Sequence, residues 1–296
     1  MESIKTVAFI GAGNMGAPMA RCARRGGFDI TICDRNPAVR ESFEREGVRT
    51  TADMTDCAAA DAIIVLLAND AQIKDALLGE RGLVSAIPAG HRPTVCMMST
   101  TLPDTLHTLQ APLAAAGARL VDAPVSGGIV GAQEGTLTIM LGGAEADVEL
   151  ARPLMRAMGN RLFHCGVLGS AQVAKIINNM LCVTNMYLTA EAIELAQAHG
   201  VAFESLAPIL AVSTGMNFLT ADAAVGRAQY RAWSPTEAAY PDIHRIVAKD
   251  LHLALALGDQ AGLETGMLRQ VSNYVDEDGS KAAALWTRAG HTSSPA

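Results

Sequence analysis

Two hydrophobic patterns divide the 296-residue chain. In the first part, short unbroken apolar runs recur between polar or glycine-rich turns. The clearest lie at residues 6–10, 29–33, 61–67 and 94–98, with shorter ones at 48–50, 120–122, 137–141 and 162–164. Runs of this length, rich in Val and Ile and lacking polar alternation, suit strands covered on both faces. Helical stretches lie between them: from residue 16 to about 25, ending at Gly26-Gly27, then 37–46, then one started by Pro103. Repeated strand–helix alternation predicts a doubly wound, mainly parallel sheet. From residue 166 onward the strand pattern stops. Helical periodicity covers about 170–199, 203–213, 243–261 and 263–284, punctuated by Gly200, Gly215, Gly262 and Gly279. Residues 227–242 hold Tyr230, Trp233, Tyr240 and two prolines, fit neither pattern, and read as a loop near a cleft or a subunit contact.

Glycine placement gives the first part a chemistry. Gly11-Ala12-Gly13-Asn14-Met15-Gly16 falls between the first apolar run and the first helix, and Asp34 ends the second run 18 positions after Gly16. Gly11 permits a tight turn, Gly13 lets a pyrophosphate approach the backbone, and Gly16 lets helix and strand pack closely. The helix start offers free N–H groups to phosphate. Asp34 is placed to accept the adenosine ribose hydroxyls. A glycine-rich turn without ligand is the plainer alternative, and the flanking strand, helix and acid count against it. The expected fold class is therefore α/β: a Rossmann-like, doubly wound dinucleotide-binding domain at 1–165, an all-α substrate and oligomerisation domain at 166–290, and a flexible tail at 291–296. Asp34 repels a 2′-phosphate and favours NAD, whereas the adjacent Arg35 keeps NADP possible.

Ligands of open α/β sheets gather at the carboxyl ends of the strands. Leu67-Ala68-Asn69 and Ser99-Thr100 leave strands at that edge. So does Ser126-Gly127-Gly128, where two glycines expose successive N–H groups, a nest suited to a carboxylate. Lys175, Asn178 and Asn179 sit three and four apart on the first long helix of the second part, beside Val173, Ile176, Ile177 and Met180. That polar edge reads either as a solvated helix face or as the floor of a cleft.

Composition excludes other classes. A net charge of -7 gives no basic face for nucleic acid. No apolar run approaches the roughly 20 residues of a membrane span. The seven histidines form no ligand-spaced cluster, so no metal is expected. Six scattered cysteines without a C-x-x-C pair, and a first strand that begins almost at once, fit a cytoplasmic chain with no signal peptide.

Four motifs in order, Gly11–Gly16, Asp122-Ala123-Pro124-Val125-Ser126-Gly127-Gly128, Lys175 to Asn179, and Lys249-Asp250-Leu251, resemble the β-hydroxyacid dehydrogenase family over essentially the whole chain. The resemblance implies Lys175 as catalytic lysine, Ser126, Gly127 and Gly128 as cradle of the substrate carboxylate, and Asn178 and Asn179 as substrate-orienting amides. It also implies Thr100 and Lys249 beside the nicotinamide, a small hydroxyacid or semialdehyde as substrate, and a homodimer or homotetramer. Lys175 would pass the proton that accompanies hydride transfer. A lysine titrates near 10.4, so a basic role near neutrality calls for desolvation, which an apolar helix stripe supplies. Three positions depart from the family pattern: Ala171 for a glycine, Met97 for an acid, and Asp242 for a phenylalanine. An imine reductase shares the architecture but usually replaces the lysine. A non-catalytic dinucleotide-binding module would tolerate its loss.

Overall fold

The computed structural model describes residues 3–277 and 279–291. Most of the expected tail lies outside the described residues. In chain order the elements begin β1 (Thr6–Ile10), α1 (Gly16–Arg25), β2 (Asp29–Cys33), α2 (Pro37–Arg45), β3 (Arg49–Thr51), β4 (Ala62–Val65), α3 (Asp70–Leu78) and β5 (Thr94–Met97). They continue with α4 (Pro103–Ala115), β6 (Arg119–Asp122), β7 (Val125–Ser126), α5 (Gly128–Glu134), β8 (Leu137–Gly142), α6 (Glu145–Met158) and β9 (Gly159–Gly166). Helices α7 (Ser170–Ala198), α8 (Phe203–Leu210), α9 (Ala223–Trp233), α10 (Tyr240–Gln260), α11 (Gly266–Glu277) and α12 (Gly279–Gly290) follow. The chain divides into two compact units, residues 1–175 and 176–296.

The first unit is built on one sheet. Six parallel strands run in the order β3-β2-β1-β4-β5-β6, the order of dinucleotide-binding sheets. β8 then pairs antiparallel with β6 and β7 and parallel with β9. The apolar runs explain why both faces are covered. On β1, Val7 and Phe9 enter one core with Met19 and Ala23 of α1 and Val148 and Leu154 of α6. Ala8 and Ile10 enter the other, with Ile73 and Leu77 of α3 and Leu106 and Leu109 of α4. With period-2 alternation and both sets apolar, the strand has no solvent face.

The second unit, from Ile176, consists of helices joined by turns and loops, with no strand among its described residues. The loop expected at 227–242 is instead α9, a single 3-10 turn at Glu237–Ala239, and the start of α10. Asp222 caps α9 by accepting the Val225 N–H at 2.9 Å. Pro241 sits in the first turn of α10, where a missing N–H costs nothing. The aromatic residues that suggested a loop pack together: the buried Tyr230 and Tyr240 and the half-buried Trp233 each meet the Trp286 ring at centroid distances of 5.3–5.9 Å. Within the span expected as one helix at 263–284, residues 266–277 and 279–290 are helical, and residue 278 lies outside the described residues.

Candidate functional site

The glycine turn after β1 separates two kinds of glycine. A Cβ on Gly11 would lie 2.2 Å from the Leu66 carbonyl, and one on Gly16 2.2 Å from the carbonyl of Gly11. Those two serve the protein's own packing. Gly13 has nothing within 4 Å of a notional Cβ and no positive φ. Neither packing nor backbone geometry requires a glycine there, so the open space above it fits a ligand that comes close to the chain. Asn14 and Met15 complete the turn into α1.

Asp34 stands at the end of β2, half-buried. Its carboxylate accepts the Ala12 N–H at 2.8 Å and the Asn36 N–H at 2.8 Å. It thereby ties the glycine turn to the second strand and keeps acceptor capacity for ribose hydroxyls. Arg35 points elsewhere: its guanidinium pairs with Asp75 at 3.3 Å and is solvated.

The neighbouring strand ends are fastened to one another. Ser99 Oγ accepts the Leu67 N–H at 2.7 Å and donates to the Leu67 carbonyl at 2.9 Å. This draws Leu67 off the strand expected at 61–67, which stops at Val65. Asn69 caps α3 through the Gln72 N–H at 2.9 Å, after Ala68, whose N–H goes to Gln72 Oε1. Thr100 is half-buried beside Ser99. Ser126 closes the two-residue β7 rather than lying in a free turn. Gly127 and Gly128 follow with φ of +132° and +64°, backbone that a side chain would strain. Both are exposed.

Two side chains at this edge were not legible as site residues. Asp122 ends β6 fully buried; its Oδ1 accepts the Gly169 N–H and its Oδ2 the Gln172 N–H, both at 3.0 Å. Burial pushes its carboxyl above the usual range, and the backbone N–H groups pull the other way. Charge-assisted bonds are worth about 1.5–3 kcal/mol each, against a desolvation cost of several kcal/mol, so they offset much of the burial without reversing it. Gln172, also fully buried, accepts the Thr101 N–H at 3.1 Å and donates to the Ser99 carbonyl at 3.0 Å. The signal for Asp122 was an acid ending an otherwise apolar strand. Gln172 gave none.

Lys175 lies two residues past the first turn of α7 and is only 9% exposed. A lysine this buried is uncommon and calls for a reason beyond solubility. The apolar stripe expected beside it is split: Ile176 is buried, whereas Ile177 is 47% exposed on the opposite side of the helix. In the second unit Asn178 donates to Asn179 Oδ1 at 3.1 Å, and Asn179 donates to Asp250 at 2.7 Å. Lys249 donates to the same carboxylate at 2.7 Å. Asp250, which the sequence offered only as part of a motif, links the asparagine pair to Lys249. Among the described residues no group of His, Cys, Asp and Glu is arranged to hold a metal ion.

A parallel sheet in this strand order, with a glycine turn open at Gly13 and an acid at the end of β2, defines a dinucleotide-binding protein. Comparisons with known proteins narrow the class. Residues 6–169 match the family model "NAD binding domain of 6-phosphogluconate dehydrogenase", and residues 169–291 match "NAD-binding of NADP-dependent 3-hydroxyisobutyrate dehydrogenase". An NAD-dependent L-serine dehydrogenase of Pseudomonas aeruginosa is 34% identical, over 89% of each chain. A 3-hydroxyisobutyrate dehydrogenase of the same organism is 35% identical over 84% of each. A solved 3-hydroxyisobutyrate dehydrogenase of Mycobacterium tuberculosis, with L-serine, has a TM-score of 0.79 at 26% identity, covering 96% of this chain and 99% of that one. An imine reductase of Streptomyces aurantiacus shares the fold, with a TM-score of 0.62 at 18% identity, covering 97% and 98%. The chain belongs to the β-hydroxyacid dehydrogenase family and is an NAD(P)-dependent oxidoreductase acting on CH–OH groups.

The different duties of the glycines make a prediction. Gly13→Val projects its side chain into open space, so the melting temperature should stay near that of the parent while dinucleotide affinity, read by titration calorimetry, falls at least about tenfold. Affinity equal to the parent's would mean that no ligand approaches Gly13.

Proposed function

We propose that the enzyme interconverts a small β-hydroxyacid and its semialdehyde, with Lys175 as general acid and base. The observation that carries this reading is the burial of Lys175 at 9% exposure near the start of α7. The bound nicotinamide supplies or accepts the hydride. Lys175 Nζ takes the proton from the substrate hydroxyl oxygen in oxidation and returns it in reduction. As an ammonium it also stabilises negative charge on that oxygen. The N–H groups of Gly127 and Gly128, with the Ser126 hydroxyl, hold the substrate carboxylate. Asn178 and Asn179 orient substrate oxygens without adding charge, and Asp250 holds the Asn179 amide in one rotamer. Thr100 and Lys249 serve the nicotinamide end. The relatives named for L-serine and 3-hydroxyisobutyrate support a small hydroxyacid.

NAD is the preferred cofactor in this reading. A carboxylate at Asp34 repels a 2′-phosphate; of the two cations beside it, Arg35 is drawn to Asp75 and Arg40 is held on the Asp34 and Arg35 carbonyls at 2.7 and 3.0 Å. The six free cysteines support a cytoplasmic location, and among the described residues no helix is long and apolar enough to cross a membrane. The enzyme works as a homo-oligomer that buries one face of α7. Ile177, Leu181, Leu188 and Leu195 are each 47–64% exposed. Turning about 100° per residue, they form one stripe roughly opposite Lys175, about 27 Å long.

Assays with L-serine and 3-hydroxyisobutyrate test the chemistry. Lys175→Ala should lower kcat by about 10²–10⁴-fold, the usual worth of general acid–base catalysis, while NAD+ binding persists. The parent should show the higher kcat/KM with NAD+ than with NADP+. Undiminished turnover in the variant would sink the role of Lys175, and a preference for NADP+ would sink that of Asp34. For the assembly, the parent should sediment at twice the chain mass or more, and the Leu181→Glu, Leu188→Glu double variant at a lower multiple. A monomeric parent would refute the oligomer.

A further inference from the structure

We propose that Asp122 is a positioning residue for catalysis: its carboxylate fixes the opening turn of α7 and, through that turn, the ammonium of Lys175. The inference rests on Lys175 being the general acid and base.

The carboxylate is fully buried and reaches both ends of the opening turn, Gly169 N–H through one oxygen and Gln172 N–H through the other. Lys175 follows Gln172 by three residues, one turn further on the same side of the helix. The N–H groups and dipole of the helix start set positive charge against the carboxylate. Space for it is kept from across the sheet: a Cβ on Gly142 of β8 would lie 2.3 Å from Oδ1. The same turn has a second anchor. The buried Gln172 amide bridges the Thr101 N–H and the Ser99 carbonyl at the exit of β5. Two strand ends therefore fix both the height of the helix and its rotation about its axis.

A neutral cap would hold a helix start more cheaply. Ser, Thr or Asn caps as well as Asp, and none of them carries the cost of taking a full charge out of water. What the carboxylate adds is two equivalent acceptors on a planar group. Bonded to N–H groups three residues apart, they leave the turn little freedom to rotate. Rotation of α7 would swing Lys175 most directly, and a displacement of about 1 Å at a reacting group can cost 10²-fold in rate. The geometry thus links a strand-end acid, whose two oxygens are taken by backbone N–H groups, to the accuracy of the proton transfer.

A double-mutant cycle on the full-length chain reads this coupling. Asp122→Asn keeps the shape but turns an amide N–H towards one backbone N–H. Single-turnover hydride transfer is followed with NAD+ and whichever of L-serine and 3-hydroxyisobutyrate the parent oxidises faster. In the parent background Asp122→Asn should lower the rate at least tenfold, with the Kd for NAD+ within twofold. In the Lys175→Ala background the same change should cost less than twofold. Should Asp122→Asn fail to fold, Gln172→Met, which removes the second anchor at similar volume, is read in the same cycle with the same expectation. Equal losses in both backgrounds, or no loss in the parent, would overturn the positioning role while leaving Lys175 as acid and base. A Lys175→Ala rate equal to the parent's would instead remove the reading on which the inference rests.

Discussion

A single buried carboxylate joins the sheet to the start of the helix that carries Lys175. Asp122 ends β6, and its two oxygens take the N–H groups of Gly169 and Gln172. The helix beyond them is 29 residues long, starting in the first compact unit and ending in the second. The cap needs an acid at the last residue of a central strand, a glycine opposite it on β8, and a chain that turns at Gly169 with φ of +94°. These three conditions are separated by up to 47 residues in sequence, and the sheet brings them together.

The same edge of the sheet is arranged for a dinucleotide by equally local means. Gly11 and Gly16 are glycines because carbonyl oxygens occupy the space a side chain would need, and Gly13 is a glycine although nothing of the protein occupies it. Asp34 pins the turn through the Ala12 N–H from the end of the second strand, the position proposed for contact with the ribose. Ser99 closes the neighbouring loop by bonding both the N–H and the carbonyl of Leu67. The carboxyl ends of the strands are therefore braced before any ligand arrives, which lowers the ordering cost of binding.

Much of this was legible in the sequence, for a physical reason. Parallel strands covered on both faces must be apolar throughout, so β1, β2, β4 and β5 appear as unbroken runs, and the glycine turn carries its own spacing rule. Legibility failed where long-range contacts decide the outcome. Residues 227–242 looked irregular because their aromatic residues and prolines were read locally, yet the aromatic residues pack on Trp286 and Pro241 tolerates a helix start. Gln172 and Asp250 act through partners 71–73 and 71 residues away, distances that periodicity cannot register. Ala171, which departs from the family pattern, is fully buried in the first turn of α7, where its small side chain is accommodated.

The most direct test of the account is the crystal structure of the enzyme with NAD+ and the hydroxyacid it turns over. Lys175 Nζ should lie within about 2.6–3.2 Å of the reacting hydroxyl oxygen, the reach that proton transfer requires, with the substrate carboxylate on the N–H groups of Gly127 and Gly128. A complex in which another acid or base meets that oxygen, and Lys175 lies beyond reach of it, would contradict it.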